Sequence, residues 1–600
     1  MVNTALVVSA NFKKSYPIVR SLAKGGYEVI IALYSWKGPV FSKYANSRFK
    51  ILDPAINESE YISEIVSISK KCKPSIIIPV GFIDNLIIAK YRSLISPTIK
   101  IPIPSYRKIL EVSDKRIGLS KISKATGVKI PRIISSEDLK KRVKSEKPFL
   151  PVVVKGTSDG SLPSYVFNGQ ILKEFSYEKP DSVVQDFING YGCGYFALAK
   201  DGKPFAEFGH RRILEKSPSG GPSVVACSYD DPLLFRAGRK IVDHLKWSGV
   251  IMAEFKRDEE TGEYYLIEIN PKFWGSLELS IASGVDFPRY LADLYVLDKK
   301  PNFRGFRKEN RFSWIIDGMH YLRDNYHVWL KLLKYGICDG SRSTDLHLND
   351  PADLLLSLMQ NFGSLIVGKK KFDYSSISQS KMQFKTQLKT QGLSHILFDL
   401  DGTLTNLNIE WRDVRKELTE IGIIRKWDSV MMSFCRLKRS SSEEFDKLNH
   451  IVEQYELRAI KNIRPDNSLR NLLAALQMQG VAFALISKQS KRTINAALAK
   501  VKLSDFFKVV VGREDQLFRH EQIQVGLNSL KANLRRTLFI GDTVNDATAA
   551  AKVGVTPIAV STNHYLVQSF YELGVPCFKS TKVLLTILLK KKHIIRPNQH

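Results

Sequence analysis

The stretch GVIMAEFKRDEETGEYYLIEINPKFWGS, residues 249–276, decides how the central part of this chain folds. Two apolar runs flank the turn signal EETG, and this arrangement predicts a β-hairpin. If the hairpin is centred on Thr261, Glu254 lies directly opposite Glu268, because each stands seven residues from the centre. Strand alternation then places Asn270 on the same face as both acids.

Two carboxylates that face each other across a hairpin need a neutralising group, because like charges directly opposed are destabilising. Mg²⁺ suits such a pair with a neighbouring amide oxygen, since it prefers oxygen ligands and keeps positions open for phosphate oxygens. The alternative interpretation is a pair of solvent-facing glutamates on an edge hairpin. The pattern favours the magnesium site.

Two segments upstream of the hairpin have features of a nucleotide site. PVVVKGTSDGS, residues 151–161, predicts a buried strand that delivers Lys155 and Gly156 to a loop whose backbone N–H groups can cradle phosphate. Any strand can end in Lys-Gly, so this signal is weak by itself. SVVQDFING, residues 182–190, predicts an apolar strand and a turn whose backbone and Phe187 can hold a flat base.

In chain order, these segments and the hairpin resemble the ATP-grasp superfamily. The resemblance is to its carboxylate–amine ligase branch, related to carbamoyl-phosphate synthase large-chain folds, and it covers roughly residues 1–300. The motifs that carry it are SDK (113–115), VVVKG (152–156), VVQDFING (183–190), HRRILEKSPSGGPS (210–223) and AEF…EINPKFWGS (253–276).

The resemblance implies three sets of site residues. The set that would bind ATP, through the phosphates or through a hinge against adenine, comprises Lys115, Lys155, Gly156, Gln185, Asp186, Phe187 and Ile188. The set that would hold Mg²⁺, or Mn²⁺ as an alternative ion, comprises Glu254, Glu268 and Asn270. The set that would steady the substrate carboxylate or the transferred phosphoryl group comprises Arg211 or Arg212, with Lys272 where such ligases usually carry arginine.

The resemblance also implies phosphoryl transfer to a carboxylate. A carboxylate is a poor electrophile until the γ-phosphate converts one of its oxygens into a leaving group, and metal ions and lysines neutralise the charge that opposes this step. An amine or another nucleophile then displaces phosphate from the acyl phosphate. The expected partners are a small-molecule carboxylate and an amine or similar nucleophile.

A second series of acids follows the strands of a later α/β segment. HILFDLDGTLT predicts an apolar strand whose end places Asp399 and Asp401 on one side, at the edge where open α/β sheets bind ligands. Ser487 ends another apolar run. If a helix begins near Asp542, Asp546 shares its face, and although each acid alone favours helix capping, the whole series favours metal binding.

This series resembles the haloacid dehalogenase-like hydrolases, especially phosphatases of the phosphoglycolate phosphatase type, over about residues 395–580. The resemblance implies that Asp399 attacks phosphorus to form an aspartyl-phosphate, while Asp401 protonates the leaving oxygen and then activates water. The residues implied to hold the phosphoryl group or Mg²⁺, besides Asp399, are Ser487, Arg519, Asp542 and Asp546. Of these, Arg519 replaces the family's usual phosphate-binding lysine, and the substrate would be a phosphorylated metabolite.

Composition sets the wider limits on function. The 600 residues include 90 Lys and Arg against 60 Asp and Glu, so the formal net charge of +30 favours anionic partners. Nucleic acid is not expected among them, because no recognised binding motif accompanies the charge. Six scattered cysteines without a C-x-x-C pair indicate a reducing compartment, and no apolar run is long enough to span a bilayer. We therefore expect a cytoplasmic protein and leave open whether it forms a homo-oligomer.

The predicted fold class is multidomain α/β. The domains in chain order are a Rossmann-like pre-ATP-grasp domain (1–105), an α+β ATP-grasp domain (106–300), a helical extension (301–367), a basic linker (368–392) and a HAD-like doubly wound α/β domain (393–590) with a helical cap (406–465). We interpret the chain as a bifunctional ligase and phosphatase. The alternative is a ligase whose HAD-like domain is catalytically weak and serves as a regulatory or binding module.

Overall fold

The structure is a computed structural model that describes residues 2–8, 12–34, 39–135, 137–139, 152–157, 163–166, 182–217, 220–324, 326–335, 343–367 and 392–590. The predicted basic linker, apart from its last residue, lies outside these ranges. Among the helices in these ranges, none combines the length and the apolar character needed to cross a bilayer.

The N-terminal unit is a parallel four-stranded sheet with the strand order β3-β2-β1-β4. Both faces of the first strand are buried, with Val7 in one apolar cluster and Leu6 in another, as expected when helices cover a parallel sheet on both sides. This confirms the predicted parallel sheet with crossover helices. Its elements are β1 (Thr4–Val8), α1 (Phe12–Lys24), β2 (Glu28–Leu33), β3 (Ser47–Lys50), α2 (Glu58–Cys72), β4 (Ile76–Pro79) and α3 (Phe82–Lys90).

A small antiparallel sheet follows, with the strand order β6-β5-β7. Its central strand is the predicted strand that carries Lys155 and Gly156 at its end. The elements of this part are α4 (Tyr106–Ser113), α5 (Ile117–Thr126), β5 (Val152–Gly156), β6 (Ser164–Val166) and β7 (Ser182–Asp186).

A six-stranded antiparallel sheet with the order β12-β11-β8-β9-β10-β13 forms the other half of this region. The predicted hairpin is present as β11 and β12, and β12 is an edge strand. The last strand lies within the predicted helical extension and pairs with β10. The elements are β8 (Gly190–Lys200), β9 (Lys203–Ser217), β10 (Gly220–Ser228), α6 (Pro232–His244), β11 (Gly249–Asp258), β12 (Tyr264–Asn270), α7 (Leu277–Ala282), α8 (Phe287–Val296) and β13 (Arg311–Ser313).

Three helices complete the first half of the chain, in the segment predicted to be a helical extension. They are α9 (Tyr321–Asp324), α10 (Tyr326–Leu333) and α11 (Pro351–Val367). Asp353 near the start of α11 accepts a hydrogen bond from the backbone N–H of Phe41, so this helix is anchored to the N-terminal unit.

The C-terminal unit is a parallel six-stranded sheet with the order β16-β15-β14-β17-β18-β19, flanked by helices, which confirms the predicted doubly wound α/β fold. Helices α12 to α14 are inserted between β14 and β15, where a helical cap was predicted. The elements are β14 (His395–Phe398), α12 (Trp411–Glu420), α13 (Val430–Ser440), α14 (Ser442–Ala459), α15 (Asn467–Met478), β15 (Ala482–Ile486), α16 (Lys491–Val501), β16 (Val509–Val511), α17 (Arg519–Leu530), β17 (Thr537–Gly541), α18 (Val544–Val553), β18 (Thr556–Val560), α19 (His564–Glu572), β19 (Cys577–Phe578) and α20 (Thr581–Lys590).

The two halves of the chain pack against each other through the β11–β12 hairpin. Arg257, which is 2% exposed, donates from Nη2 to Asp428 Oδ1 at 2.6 Å, and the Trp427 ring packs on Tyr229 with centroids 4.5 Å apart. The Trp427 indole N–H also donates to Asp230 Oδ1 at 2.7 Å. The halves therefore share a buried polar and aromatic interface.

Candidate active sites

The hairpin pairs its two acids as predicted, with Glu254 opposite Glu268. Near the turn, the pairs Arg257–Tyr264 and Phe255–Leu266 run one residue out of the predicted register. A β-bulge then skips Ile267 and restores the register in which the acids meet. The pairing is confirmed, and it depends on this bulge.

The two acids lie in a cluster with cations. Glu254 forms an ion pair with Arg212, whose Nη1 also donates to Glu215 Oε1 at 2.7 Å. Glu268 Oε2 lies 3.1 Å from Lys115 Nζ, and Asn270 Nδ2 donates to Glu268 Oε1 at 2.8 Å. The structure thus brings together the three predicted metal ligands and two of the predicted cations.

The electrostatics of the pair are asymmetric. Burial raises the pKa of Glu254, and the neighbouring Glu268 carboxylate acts in the same direction against Arg212. Burial also acts to raise the pKa of Glu268, but Lys115 and the Asn270 amide outweigh it and hold that pKa below its usual range. A divalent cation held by the two carboxylates would relieve their mutual repulsion, so the donor set fits a hard metal ion.

Lys155 reaches the same cluster from the small sheet. It is buried at the end of β5, and its Nζ donates to the Ile267 carbonyl, in the bulge, at 3.4 Å. Burial lowers its pKa to about 8, and the charge of Lys115 contributes. The backbone N–H of Lys115 donates to the Thr157 carbonyl at 3.4 Å, so the Lys115 segment lies beside the residue that follows Gly156.

The predicted adenine hinge lies at the end of β7. Gln185 is buried, and the backbone N–H of Asp186 donates to the Arg132 carbonyl at 2.9 Å. Phe187 meets Tyr165 edge-on at 5.5 Å and packs against an apolar cluster of the C-terminal unit. The Ile188 carbonyl accepts a hydrogen bond from Lys256. The role of these residues toward adenine stays a prediction.

Sequence reasoning missed Lys256. Its Nζ lies 3.5 Å from the Ile188 carbonyl and 5.2 Å from the Phe187 ring centroid, and burial lowers its pKa. Strand alternation puts residue 256 on the same face as residue 254, so the period of two was a signal that could have identified Lys256.

Two residues predicted to steady the substrate lie outside the carboxylate cluster. Arg211 stacks over the Tyr191 ring at 4.0 Å, because neighbouring residues on a strand point to opposite faces and Arg212 takes the face toward Glu254. Lys272 is buried with its Nζ 5.2 Å from the Phe82 ring centroid, toward the N-terminal unit. Of the arginine pair, Arg212 is the one that lies in the carboxylate cluster.

The second candidate site lies at the carboxyl edge of the parallel sheet of the C-terminal unit. Asp399, Asp542 and Asp546 each offer an oxygen, and these oxygens lie within 4.8 Å of one another. The backbone of Gly402 is in the left-handed region at φ +77°, and a Cβ there would overlap the Asp542 carboxylate. The three acids fit a divalent cation, and glycine at 402 leaves room for the Asp542 carboxylate.

Arg519 crosses this acid cluster. Its Nη2 lies 3.0 Å from Asp399 Oδ1 and its Nε lies 2.8 Å from Asp546 Oδ1, while Nη1 donates to the Ile486 carbonyl at 2.8 Å. Burial raises the pKa of Asp399 despite this arginine. Burial, together with Asp546 and Asp401, raises the pKa of Asp542 to about 7.

Ser487 and Asp401 complete the predicted set. Ser487 is fully buried after β15, and its hydroxyl donates to the Gln489 side chain. Asp401 Oδ1 accepts the backbone N–H of Leu407 at 2.8 Å, and burial raises the pKa of Asp401. Each follows a strand end, as the sequence predicted.

The expected helix start near Asp542 is wrong. The helix α18 begins at Val544 with Thr543 as its N-cap, so Asp542 precedes the helix. Asp546 accepts from the Thr543 N–H at 3.1 Å in a capping box and also belongs to the acid cluster. Asp542 lies between the end of β17 and the start of α18, so the two acids are not related by i,i+4 spacing within one helix.

Two segments of the chain match known protein families. Residues 198–317 match the family described as "ATP-grasp in the biosynthetic pathway with Ter operon". Residues 396–560 match the family "Haloacid dehalogenase-like hydrolase". The chain thus combines an ATP-grasp segment with a haloacid dehalogenase-like segment, as the motifs indicated.

Individual proteins are similar to one half or the other. Pyrophosphatase PpaX of Bacillus mycoides is 27% identical over 193 residues, which cover 28% of this chain and 84% of that protein. Biotin carboxylase of Campylobacter jejuni, in a complex with β,γ-ATP, aligns at 18% identity and a TM-score of 0.42, over 52% of this chain and 74% of that one. N5-carboxyaminoimidazole synthetase of Staphylococcus aureus aligns at 16% identity and a TM-score of 0.42, over 54% and 86%.

Proposed function

We propose that this chain is a bifunctional enzyme, an ATP-dependent carboxylate–amine ligase joined to a magnesium-dependent phosphatase. The observation that carries the proposal is that each of the two segments gathers carboxylates against buried cations at one point, Glu254 and Glu268 in the first and Asp399, Asp542 and Asp546 in the second.

In the ligase, Glu254, Glu268 and Asn270 hold Mg²⁺, which neutralises phosphate charge, with Mn²⁺ as an alternative ion. Lys115 and Lys155 bind the ATP phosphates, because both are buried cations beside the acid pair. The hinge of residues 185–188 faces adenine, with the Lys256 ammonium beside it.

Transfer of the γ-phosphoryl group to a substrate carboxylate then forms an acyl phosphate and ADP. Arg212 steadies the carboxylate or the transferred group, because its guanidinium already reaches Glu254. An amine or similar nucleophile attacks the acyl carbon and phosphate leaves. This is the sequence of steps for which a row of lysines and arginines provides charge stabilisation.

In the phosphatase, Asp399 attacks phosphorus and forms an aspartyl-phosphate, while the P–O bond to the leaving group breaks. Asp401, whose pKa is raised by burial, is suited to donate the proton to the leaving oxygen and then to take one from water. Asp542, Asp546 and Asp399 hold Mg²⁺, and Arg519 and Ser487 bind the phosphoryl oxygens.

A second candidate function is a regulatory or binding role for the C-terminal unit. The observation that favours it is that Arg519 spans Asp399 and Asp546 and so engages the nucleophile itself. An ion pair to the attacking oxygen opposes attack until a substrate phosphoryl group draws the arginine away.

Two assays on the full chain test the proposal. Hydrolysis of p-nitrophenyl phosphate with Mg²⁺ is expected in the wild type and is expected to be lost in Asp399→Asn. In the second assay, the protein is incubated with ATP, Mg²⁺ and pools of amino acids and hydroxy acids, and mass spectrometry follows the products. We expect ADP and a new amide in the wild type, and Glu268→Gln should abolish the formation of both.

Each substitution is the control for the other reaction. Asp399→Asn should leave ADP formation intact, and Glu268→Gln should leave ester hydrolysis intact. Metal-dependent hydrolysis that survives Asp399→Asn would contradict the phosphatase, and its absence in the wild type alongside amide formation would favour the regulatory role.

A further inference from the structure

The tip of the β11–β12 hairpin, residues 258–263, lies between the core and the cap of the C-terminal unit. On the cap side, the Ser429 hydroxyl donates to the Glu259 carbonyl at 3.4 Å, close to the Arg257–Asp428 ion pair. On the core side, the contacts come from Glu260. The ATP-grasp segment therefore contacts both the core and the cap of the C-terminal unit beside the acid cluster.

A single carboxylate oxygen of Glu260 accepts hydrogen bonds from three groups of the core. Lys488 Nζ donates to Oε1 at 2.9 Å, Asn545 Nδ2 at 3.2 Å and the backbone N–H of Arg519 at 3.4 Å. The side chain of Glu260 is 15% exposed. The three donors thus form a binding site for one carboxylate group, which Glu260 occupies.

These partners place Glu260 at the acid cluster. Lys488 directly follows Ser487, and Asn545 directly precedes Asp546. Arg519 itself reaches Asp399. Every donor to Glu260 is therefore a member of the proposed phosphatase site or its chain neighbour.

The tip is held in shape by its own hydrogen bonds. Asp258 Oδ1 accepts the backbone N–H of Glu260 at 3.0 Å and that of Thr261 at 2.7 Å. Burial acts to raise the pKa of Glu260, but Lys488 and the N–H donors outweigh it and keep that pKa below its usual range. Glu260 is thus ionised at neutral pH and engages the positive charge of Lys488.

We propose that Glu260 is a specificity-determining residue of the phosphatase site, which selects phosphate monoesters with an uncharged leaving group. With Lys488 and Asn545 engaged by Glu260, a second anionic group on the substrate would have to compete with a fixed carboxylate for these two donors. The proposal rests on the proposed phosphatase activity and assigns its substrate class.

The test compares two esters on the full chain with Mg²⁺, phenyl phosphate and 4-carboxyphenyl phosphate. The readout is the ratio of their kcat/KM values, carboxylated over neutral, because this ratio cancels general effects on catalysis. Glu260→Gln is expected to raise the ratio roughly tenfold, since it frees a charged hydrogen-bond donor for the substrate. The double variant Glu260→Gln/Lys488→Met is expected to lose that gain.

Glu263→Gln is the matched control. It removes the same charge from the same hairpin tip, but Glu263 pairs with Lys129 of the ATP-grasp region. The ratio is expected to stay at the wild-type value. Lys488→Met alone is expected to lower the ratio, because it leaves Glu260 without its counter-charge.

An unchanged ratio in Glu260→Gln, or an equal rise in Glu263→Gln, would overturn the role of Glu260. A wild type that already prefers the carboxylated ester would overturn the assigned substrate class. If the wild type hydrolysed neither ester, the phosphatase itself would fall and this proposal with it, which is a distinct result from an unchanged ratio.

Discussion

Arg257 offers a quantitative test of how the two halves of the chain are joined. Its side chain is 2% exposed and that of Asp428 is 6% exposed, with Nη2 and Oδ1 2.6 Å apart. Replacing Arg257 with Met leaves Asp428 buried without its main counter-charge. Removing one partner of a buried ion pair typically costs about 3–5 kcal/mol.

The structure narrows this range. Arg436 Nε lies 3.5 Å from Asp428 Oδ2 and retains part of the compensation, so we expect the lower end, about 3 kcal/mol. That value corresponds to a roughly hundredfold larger opening constant for the interface. Hydrogen exchange of the hairpin peptide 249–270, measured by mass spectrometry on the full chain, should accelerate by this factor.

Two further variants complete the experiment. Arg257→Met/Asp428→Leu should restore only part of the protection, because it removes the uncompensated Asp428 charge but leaves buried Asp231, whose Oδ2 lies 3.3 Å from Arg257 Nη1, without that arginine. Lys447→Met, which breaks the exposed Lys447–Glu443 pair of the cap, should leave the hairpin exchange unchanged. Exchange in Arg257→Met that stays within about twofold of wild type would refute the claim that this ion pair joins the halves.

Three other predictions follow from the sites. The affinity for ATP should fall about tenfold between pH 7 and pH 9, because Lys155, with a pKa of about 8, is charged below that pH and neutral above it. Calorimetric titrations should show this fall in affinity with pH in the wild type and a smaller fall in Lys155→Arg. An equal fall in both proteins would contradict the prediction. Gly402→Ala should raise the Mg²⁺ concentration needed for half-maximal ester hydrolysis by at least about tenfold, because the new Cβ would overlap Asp542 at a backbone φ of +77°. The same half-maximal Mg²⁺ concentration in the variant as in the wild type would count against Asp542 as a ligand. Arg519→Met should reduce kcat for p-nitrophenyl phosphate by about 100-fold. Arg519→Lys should retain most of the wild-type kcat, because lysine and arginine both bind phosphoryl oxygens as cations. Similar losses of kcat in both variants would argue for a role that depends on the shape of the guanidinium group.

Much of both sites was predictable from local sequence pattern. The turn signal EETG and strand alternation predicted that Glu254 pairs with Glu268, although the pairing also needs a bulge that they did not predict. Ligands bind at the carboxyl edge of a parallel sheet, and this rule predicted that Asp399 and Asp542 lie close together. Alternation also pointed to Lys256, although it was overlooked.

Other features depended on backbone detail. The bulge at Ile267 has no signature in the residue types around it, and the start of α18 moved by two residues because Thr543 caps it. These changes altered the reason why the acids meet without separating them.

The contacts between the halves were beyond sequence reasoning. A polar, basic segment between two domains indicates a linker and carries no information about contacts between those domains. Nothing in the residues EETG indicates that Glu260 contacts Lys488, 228 residues further along the chain. Such pairs are set by tertiary packing, which a period of two or 3.6 does not encode.

Our main proposal is that Glu254 and Glu268 bind a nucleotide through Mg²⁺. Calorimetric titration of the full chain with ATP measures this binding most directly. We expect binding that requires Mg²⁺ and that weakens at least about tenfold in Glu254→Gln and in Glu268→Gln. Equal affinity in the presence of a chelator, or wild-type affinity in the double variant, would contradict the claim.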